Sequence, residues 1–401
     1  MLPLPQTVEV RLRRWLKHHG IVDYRIDRVQ GQGRSAASVW RLEVSDPQTQ
    51  AWLPCLAVRD WCWSEVELER LVPILRFQQA CHQRCMKRAA VEPDQGGLVL
   101  GQSKGTSFTR ASAIVPAVVE WDEGQPIFVA EGTLWTLATW CRGGALPVDA
   151  PISDGLLRET MHWMAEIHSA GAGIRQQRSV SPGIRRRLAC LRHWSDSRYR
   201  QQQWVRLQRA FAGTHRLESH QLDLARGIVE SSLELCEKSQ RWLLEQLSVW
   251  ENRPLVCHWI IGDFWRENIL VDQGRVSGIV DFGAARVDWG YLELVRCLGS
   301  WLAPDDPRLS EAVRAYDQRR QERSEDWKGI SGSTVFLSHP DNFRQFDFLF
   351  TVTAILQWFD WLADPDMPTR LWHPRTLSRL TELYRRVQAL YDFGDWAGPS
   401  R

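Results

Sequence analysis

Two carboxylates and an amide, Asp263, Asn268 and Asp281, stand at intervals that would let them act together. Asp263 lies in Ile261-Gly262-Asp263-Phe264-Trp265-Arg266-Glu267-Asn268-Ile269-Leu270-Val271, with the amide five residues after the acid. Thirteen residues further on, Asp281-Phe282-Gly283 closes an apolar run from Val276 to Val280. Phosphoryl transfer from ATP needs such a set: one carboxylate beside the attacking hydroxyl, with an Asn and a second carboxylate holding Mg²⁺ against the phosphates. A β-hairpin would bring all three to one edge. Asp263 would lie on the loop leading into the first strand, Asn268 where that strand begins, and Asp281 at the end of its partner. Asp272-Gln273-Gly274 reads as the turn, with glycine supplying the positive φ of a tight hairpin. Either motif alone is an ordinary polar cap; both together between apolar strands point to phosphate chemistry.

Gly262-Asp263-x4-Asn268-Ile-Leu-Val followed by Gly278-Ile-Val-Asp281-Phe-Gly resembles the aminoglycoside phosphotransferase/choline kinase family, most closely over Leu255 to Trp301. The resemblance implies a protein-kinase-like fold, with Asp263 as catalytic base and Asn268 and Asp281 as Mg²⁺ ligands. Ile261 stands where the family usually has His, with His258 nearby but out of register. Glu293-Leu-Val stands where the family has Asp-Leu-Ala.

The elements that must position these groups follow from patterning. Thr7 reads as the cap of a helix whose apolar residues Val8, Leu12, Trp15 and Leu16 share one side and which ends at Gly20. Strands are expected over Ile21 to Val29, Val39 to Val44 and Leu53 to Arg59. The loop holding Gly31 and Gly33 would be the lid over the ATP phosphates, its backbone N–H groups meeting the anion. Arg59 would be the cation that pairs with the α/β-phosphates, in a place where kinases normally carry Lys. Its acidic partner is open among Glu65, Glu67 and Glu69, with Glu69 favoured, and Pro73 is expected to break or kink their helix. Cys85 to Ser112 reads as a mobile connection, and Val115 to Trp140 as an antiparallel meander. By the resemblance, its end and Cys141-Arg-Gly-Gly144 form the inter-lobe hinge, where backbone around Ala138 to Trp140 would bond the adenine edge. Helices dominate afterwards. The first, capped by Ser153 or Asp154, ends at His168 to Gly171, with His168 a packed residue. The arginines between Gly183 and Leu247 are balanced by nearby acids and read as a solvated face.

Composition removes several classes. With 50 Lys and Arg against 48 Asp and Glu, the formal charge of +2 argues against a dedicated nucleic-acid binder. The hydrophobic content of 44% contains no apolar run near the length of a membrane span, and Met1 to Gly20 has no signal-peptide core. Nine scattered cysteines suit a reducing cytoplasm. Cys81-His82-x2-Cys85 lacks the spacing and second pair of a zinc site. No long activation segment follows Asp281-Phe-Gly, which disfavours a protein acceptor. The expectation is an α+β, bilobal protein-kinase-like fold with a small antiparallel-sheet N-lobe and a larger, mainly helical C-lobe. Residues 1–140 would cover the nucleotide, and 141–401 would carry catalysis and acceptor binding. The cofactors would be ATP and Mg²⁺, and the acceptor a small hydroxylated molecule. The competing expectation is a pseudokinase that binds nucleotide or acts as a scaffold without turnover.

Overall fold

Burial in Val39–Val44 shows why the first sheet forms: Trp40, Leu42 and Val44 are buried while Arg41 is exposed, the period-two pattern of a strand with one face on a core. The computed structural model describes residues 4–29, 38–45, 55–61, 68–91, 114–121, 124–147, 150–213, 217–323, 340–364 and 374–394. They divide into two compact units. The first takes Met1–Arg175, Trp259–Arg286 and Arg319–Trp327, and the second Gln176–His258, Val287–Gln318 and Lys328–Arg401.

The first unit opens with helix α1 (Gln6–His18), whose buried residues are the expected Val8, Leu12, Trp15 and Leu16. Pro5, not Thr7, occupies the cap position, and the Thr7 hydroxyl instead donates to Glu131 at 3.0 Å. Strands β1 (Tyr24–Val29), β2 (Val39–Val44) and β3 (Cys55–Trp61) follow, then helix α2 (Leu68–Val91). Pro73 lies inside α2 and does not end it. The expected connection from Cys85 is thus helical as far as Val91. Strands β4 (Val118–Val119), β5 (Ile127–Ala130) and β6 (Thr133–Thr139) complete an antiparallel sheet of order β1-β2-β3-β6-β4, with β5 also on β6. The side chains of α1 pack with Trp40, Leu56, Val58, Trp135 and Leu137 in one core.

A two-residue strand, β7 (Gly144–Ala145), precedes helix α3 (Asp154–Ile174), where Ser153 accepts from the Leu156 N–H at 3.2 Å. The helix does not stop at Gly171. A Cβ at that position would lie 2.1 Å from the Trp259 carbonyl oxygen, so close packing rather than a turn demands the glycine.

In the second unit β8 (Gln176–Ser179) leads to helices α4 (Pro182–Ser195), α5 (Ser197–Gly213) and α6 (Ser219–Glu251), and then to β9 (Leu255–Ile260), which pairs antiparallel with β8. After an excursion through the first unit, where β10 (Ile269–Asp272) and β11 (Arg275–Ile279) lie, the chain forms β12 (Arg286–Trp289) beside β9. Helix α7 begins almost at once (Tyr291–Trp301), followed by α8 (Arg308–Glu322), α9 (Pro340–Ala363) and α10 (Pro374–Phe393). Buried Asp288 accepts from the Ser181 hydroxyl at 2.5 Å, fixing the start of α4 to β12. The architecture is α+β, with a small antiparallel-sheet region and a larger, mainly helical part. Among the described residues no helix is long and apolar enough to cross a membrane.

Candidate active site

The hairpin forms as its sequence dictates. β10 and β11 pair antiparallel with Ile269 opposite Ile279, and both turn residues, Gln273 and Gly274, have positive φ (49° and 75°). Pairing extends one step past the strands, because the Val280 N–H donates to the Asn268 carbonyl at 3.0 Å. Asn268 and Val280, the residue before Asp281, therefore lie side by side at the edge opposite the turn. The Asn268 amide nitrogen donates to the Asp263 carbonyl at 2.9 Å and lies 3.5 Å from Asp263 Oδ2. The amide nitrogen is thus committed to Asp263.

Two unusual backbone conformations shape the edge. Gly262 has φ +82°, and a Cβ there would lie 2.1 Å from the Ala284 carbonyl oxygen. Arg286 Nη1 donates to both the Gly262 carbonyl (3.3 Å) and the Ala284 carbonyl (3.2 Å), stitching the Asp263 loop to the turn after Asp281. Asp281 itself sits in the left-handed region (φ 62°, ψ 69°), uncommon for a residue with a Cβ. Its carboxylate accepts from the Gly283 N–H at 3.3 Å and from Arg59 Nη1 at 3.1 Å.

Arg59 is thus brought to the site, but by a partner the sequence did not suggest. Its described ion pair is with Asp281, and its guanidinium lies over the Trp61 ring, 4.2 Å from the centroid. Glu69 is exposed in the first turn of α2 and, among the described residues, forms no ion pair with Arg59; Glu65 and Glu67 lie outside them. Gly31 and Gly33 also lie outside the described residues. Ala138 is flanked on both sides, by Ala57 and Val118, so its backbone is enclosed within the sheet. The Trp140 N–H is likewise committed, to the Cys55 carbonyl at 3.0 Å. The following linker is not slack. Gly143 (φ +86°) approaches Val271 and Ser277 so closely that a Cβ would overlap them, the Ser277 hydroxyl donates to the Arg142 carbonyl at 2.8 Å, and β7 joins β10.

The remaining candidates are structural. Ile261 is fully buried, and His258 is buried on β9 opposite Gln176. His168 is buried inside α3, and burial, with Arg320, pushes its pKa down to about 3, so it stays neutral. His82 of the cysteine-histidine cluster has Nδ1 2.8 Å from the Val115 carbonyl oxygen. Arg286 escaped sequence reading altogether; its only signal was a cation five residues after Asp281.

An amide oxygen and a carboxylate are hard oxygen donors of the kind Mg²⁺ takes. That ion commonly uses one or two protein carboxylates and completes its shell with water and substrate phosphates. Asn268 and Asp281 fit such an ion, which they would share with a nucleotide.

A family model described as the phosphotransferase enzyme family matches residues 108–330, more than half of the chain and all of the hairpin. No curated protein matches the sequence directly. Among solved structures, a choline kinase from Cryptosporidium parvum Iowa II is similar with a TM-score of 0.52 at 10% identity, covering 97% of each chain. An amicoumacin kinase in complex with AMP-PNP and Ca²⁺ is similar with a TM-score of 0.50 at 9% identity, covering 98% of each chain. These likenesses establish a protein-kinase-like fold.

Proposed function

The chain belongs to the phosphotransferase enzyme family, and from that premise we propose that it moves the γ-phosphate of ATP to a hydroxyl of a small molecule, with Mg²⁺. The observation that carries this reading is that hydrogen bonds join Asn268 to Asp263 and to the Val280 N–H, next to Asp281, across one hairpin edge. Asp263 orients the acceptor hydroxyl and takes its proton late, when the oxygen has become acidic. Positioning is its larger contribution, because a carboxylate is a weak base for an unactivated alcohol. Asn268 and Asp281 would hold Mg²⁺, which would offset charge on the β- and γ-phosphates. Arg59 orients the triphosphate. The Gly31–Gly33 loop would cover it, and backbone at the Ala138 to Trp140 end of β6 would meet the adenine. Because the Ala138 backbone and the Trp140 N–H are already engaged, the adenine bonds fall to the C-terminal side of that stretch. In functional terms residues 1–140 form the nucleotide-covering lobe and 141–401 the catalytic and acceptor-binding lobe.

The acceptor is a small hydroxylated compound in the cytoplasm. At 10% and 9% identity, neither choline nor amicoumacin carries over from the structural neighbours. The test is a thermal-shift screen with Mg²⁺·ATP and a library of metabolite alcohols, in which an acceptor should add to the stabilisation given by nucleotide. No shift with any Mg²⁺·nucleotide would remove the reading. The Ile261 and Arg59 departures favour a second one, a nucleotide-binding module without turnover. A clear nucleotide shift with no transfer across a broad acceptor panel would select it.

A further inference from the structure

Arg59 stands where kinase-like sites normally place Lys, and the side chains around it account for the exchange. Arg59 and Trp61 are two residues apart on β3, and Thr136 lies directly opposite Arg59 on β6, so the three share one face of the sheet. The guanidinium lies over the Trp61 ring, 4.2 Å from its centroid, while Nη1 reaches Asp281. The Trp61 indole N–H donates to Thr136 Oγ1 at 2.9 Å in a buried bond, and the ring groups with Leu71 and Leu75 of α2. Gly283, in the turn after Asp281, backs onto the same pair: a Cβ there would come 3.3 Å from Arg59 Nη2 and 3.4 Å from Trp61. The Trp61 ring is thus held from beneath and at its nitrogen, with one face covered by the guanidinium.

We infer that Trp61 is a positioning residue for the nucleotide, a fixed aromatic shelf that aims the residue 59 cation at the phosphates and selects arginine over lysine there. This rests on the reading of the site as one for Mg²⁺·nucleotide. A planar, weakly hydrated guanidinium can lie flat on an indole and still direct N–H groups sideways to a carboxylate or phosphate. An ammonium is a hydrated point charge on a flexible stem and gains less from the same surface. Holding the cation before the ligand arrives also reduces the ordering cost of binding.

The experiment is a double-mutant cycle, read by calorimetric titration of Mg²⁺·ATP into the full-length wild type, Arg59→Lys, Trp61→Leu and the double variant, with melting temperatures followed in parallel. Arg59→Lys should weaken binding roughly three- to thirty-fold in the wild-type background, the range of a cation–π contact. In the Trp61→Leu background the same change should cost less than about twofold. Equal losses in the two backgrounds would overturn the inference. Should Trp61→Leu fail to fold, Thr136→Val takes its place in the cycle, keeping the ring but freeing its nitrogen; strictly additive losses would again overturn it. Absence of Mg²⁺·ATP binding by the wild type would defeat the reading of the site itself, an outcome distinct from binding without coupling.

Discussion

Asp281 and Glu166 are carboxylates of the same compact unit, both held by arginine, and their surroundings differ in every other respect. The Asp281 side chain is 34% exposed and has one described ion pair, with Arg59. Glu166 is 1% exposed and is enclosed by three cations: Arg84 Nε at 2.9 Å, Arg319 at 2.8 Å and Arg323 Nε at 3.1 Å. Burial alone would push the Glu166 pKa up, but the Arg84 hydrogen bond and the charges of Arg319 and Arg323 hold it below the usual carboxylate range. A carboxylate that must exchange one cation for another has to remain partly in water, where a single ion pair is weak and readily released. A carboxylate surrounded by guanidinium groups in the interior does not exchange; it ties α2, α3 and the end of α8 together within its unit. Under the proposed function Asp281 would exchange Arg59 for the metal, whereas Glu166 keeps its cations.

Substitutions should separate these two kinds of carboxylate. The largest expected effect belongs to the exchangeable edge. Asp263→Ala should lower turnover by about 10²–10⁴-fold while leaving nucleotide binding and melting temperature close to wild type. Turnover assays alongside thermal melts check this, and unaltered turnover would remove Asp263 from the chemistry. Glu166→Ala should do the reverse by leaving buried arginines uncompensated, costing about 3–5 kcal/mol of stability in denaturant unfolding. A loss within the range of a surface pair would end the contrast.

The smallest expected effect is a dependence on pH. His168 is neutral in the fold, with a pKa near 3 against 6.5 for the free side chain, so between those values the unfolded chain binds a proton that the folded chain refuses. Its contribution to stability is complete above about 6.5 and declines as the pH falls toward 3. His162, lowered by burial and by Arg88 and Arg319, acts in the same direction. Denaturation at neutral and mildly acid pH should show the decline, and His168→Gln should make it shallower.

Local patterning made much of this legible. The apolar stripe of α1, the turn of the β10–β11 hairpin and the order from Asp263 to Asp281 are encoded within short windows, where period and turn chemistry act directly. The misreadings have long-range causes. Arg59 meets Asp281 across 222 positions, a pairing no window contains, and Trp61 beneath it is one tryptophan among 22. Gly171 looked like a helix end, and packing against Trp259 explains it; Pro73 looked like a break or kink, and α2 continues through it. Glu166 drew no attention because its arginines come from residues 84, 319 and 323. Charge in the sequence identifies a carboxylate; only the fold tells whether it is meant to let go.

The most direct measurement is calorimetric titration of ATP into the wild type and Asp281→Ala, each with and without Mg²⁺, with their melting temperatures compared. The account predicts Mg²⁺-dependent binding in the wild type, loss of that dependence in Asp281→Ala, and similar melting of the unliganded proteins. Identical Mg²⁺-dependent binding by both would contradict it, because the carboxylate at this edge would then have no part in holding the metal.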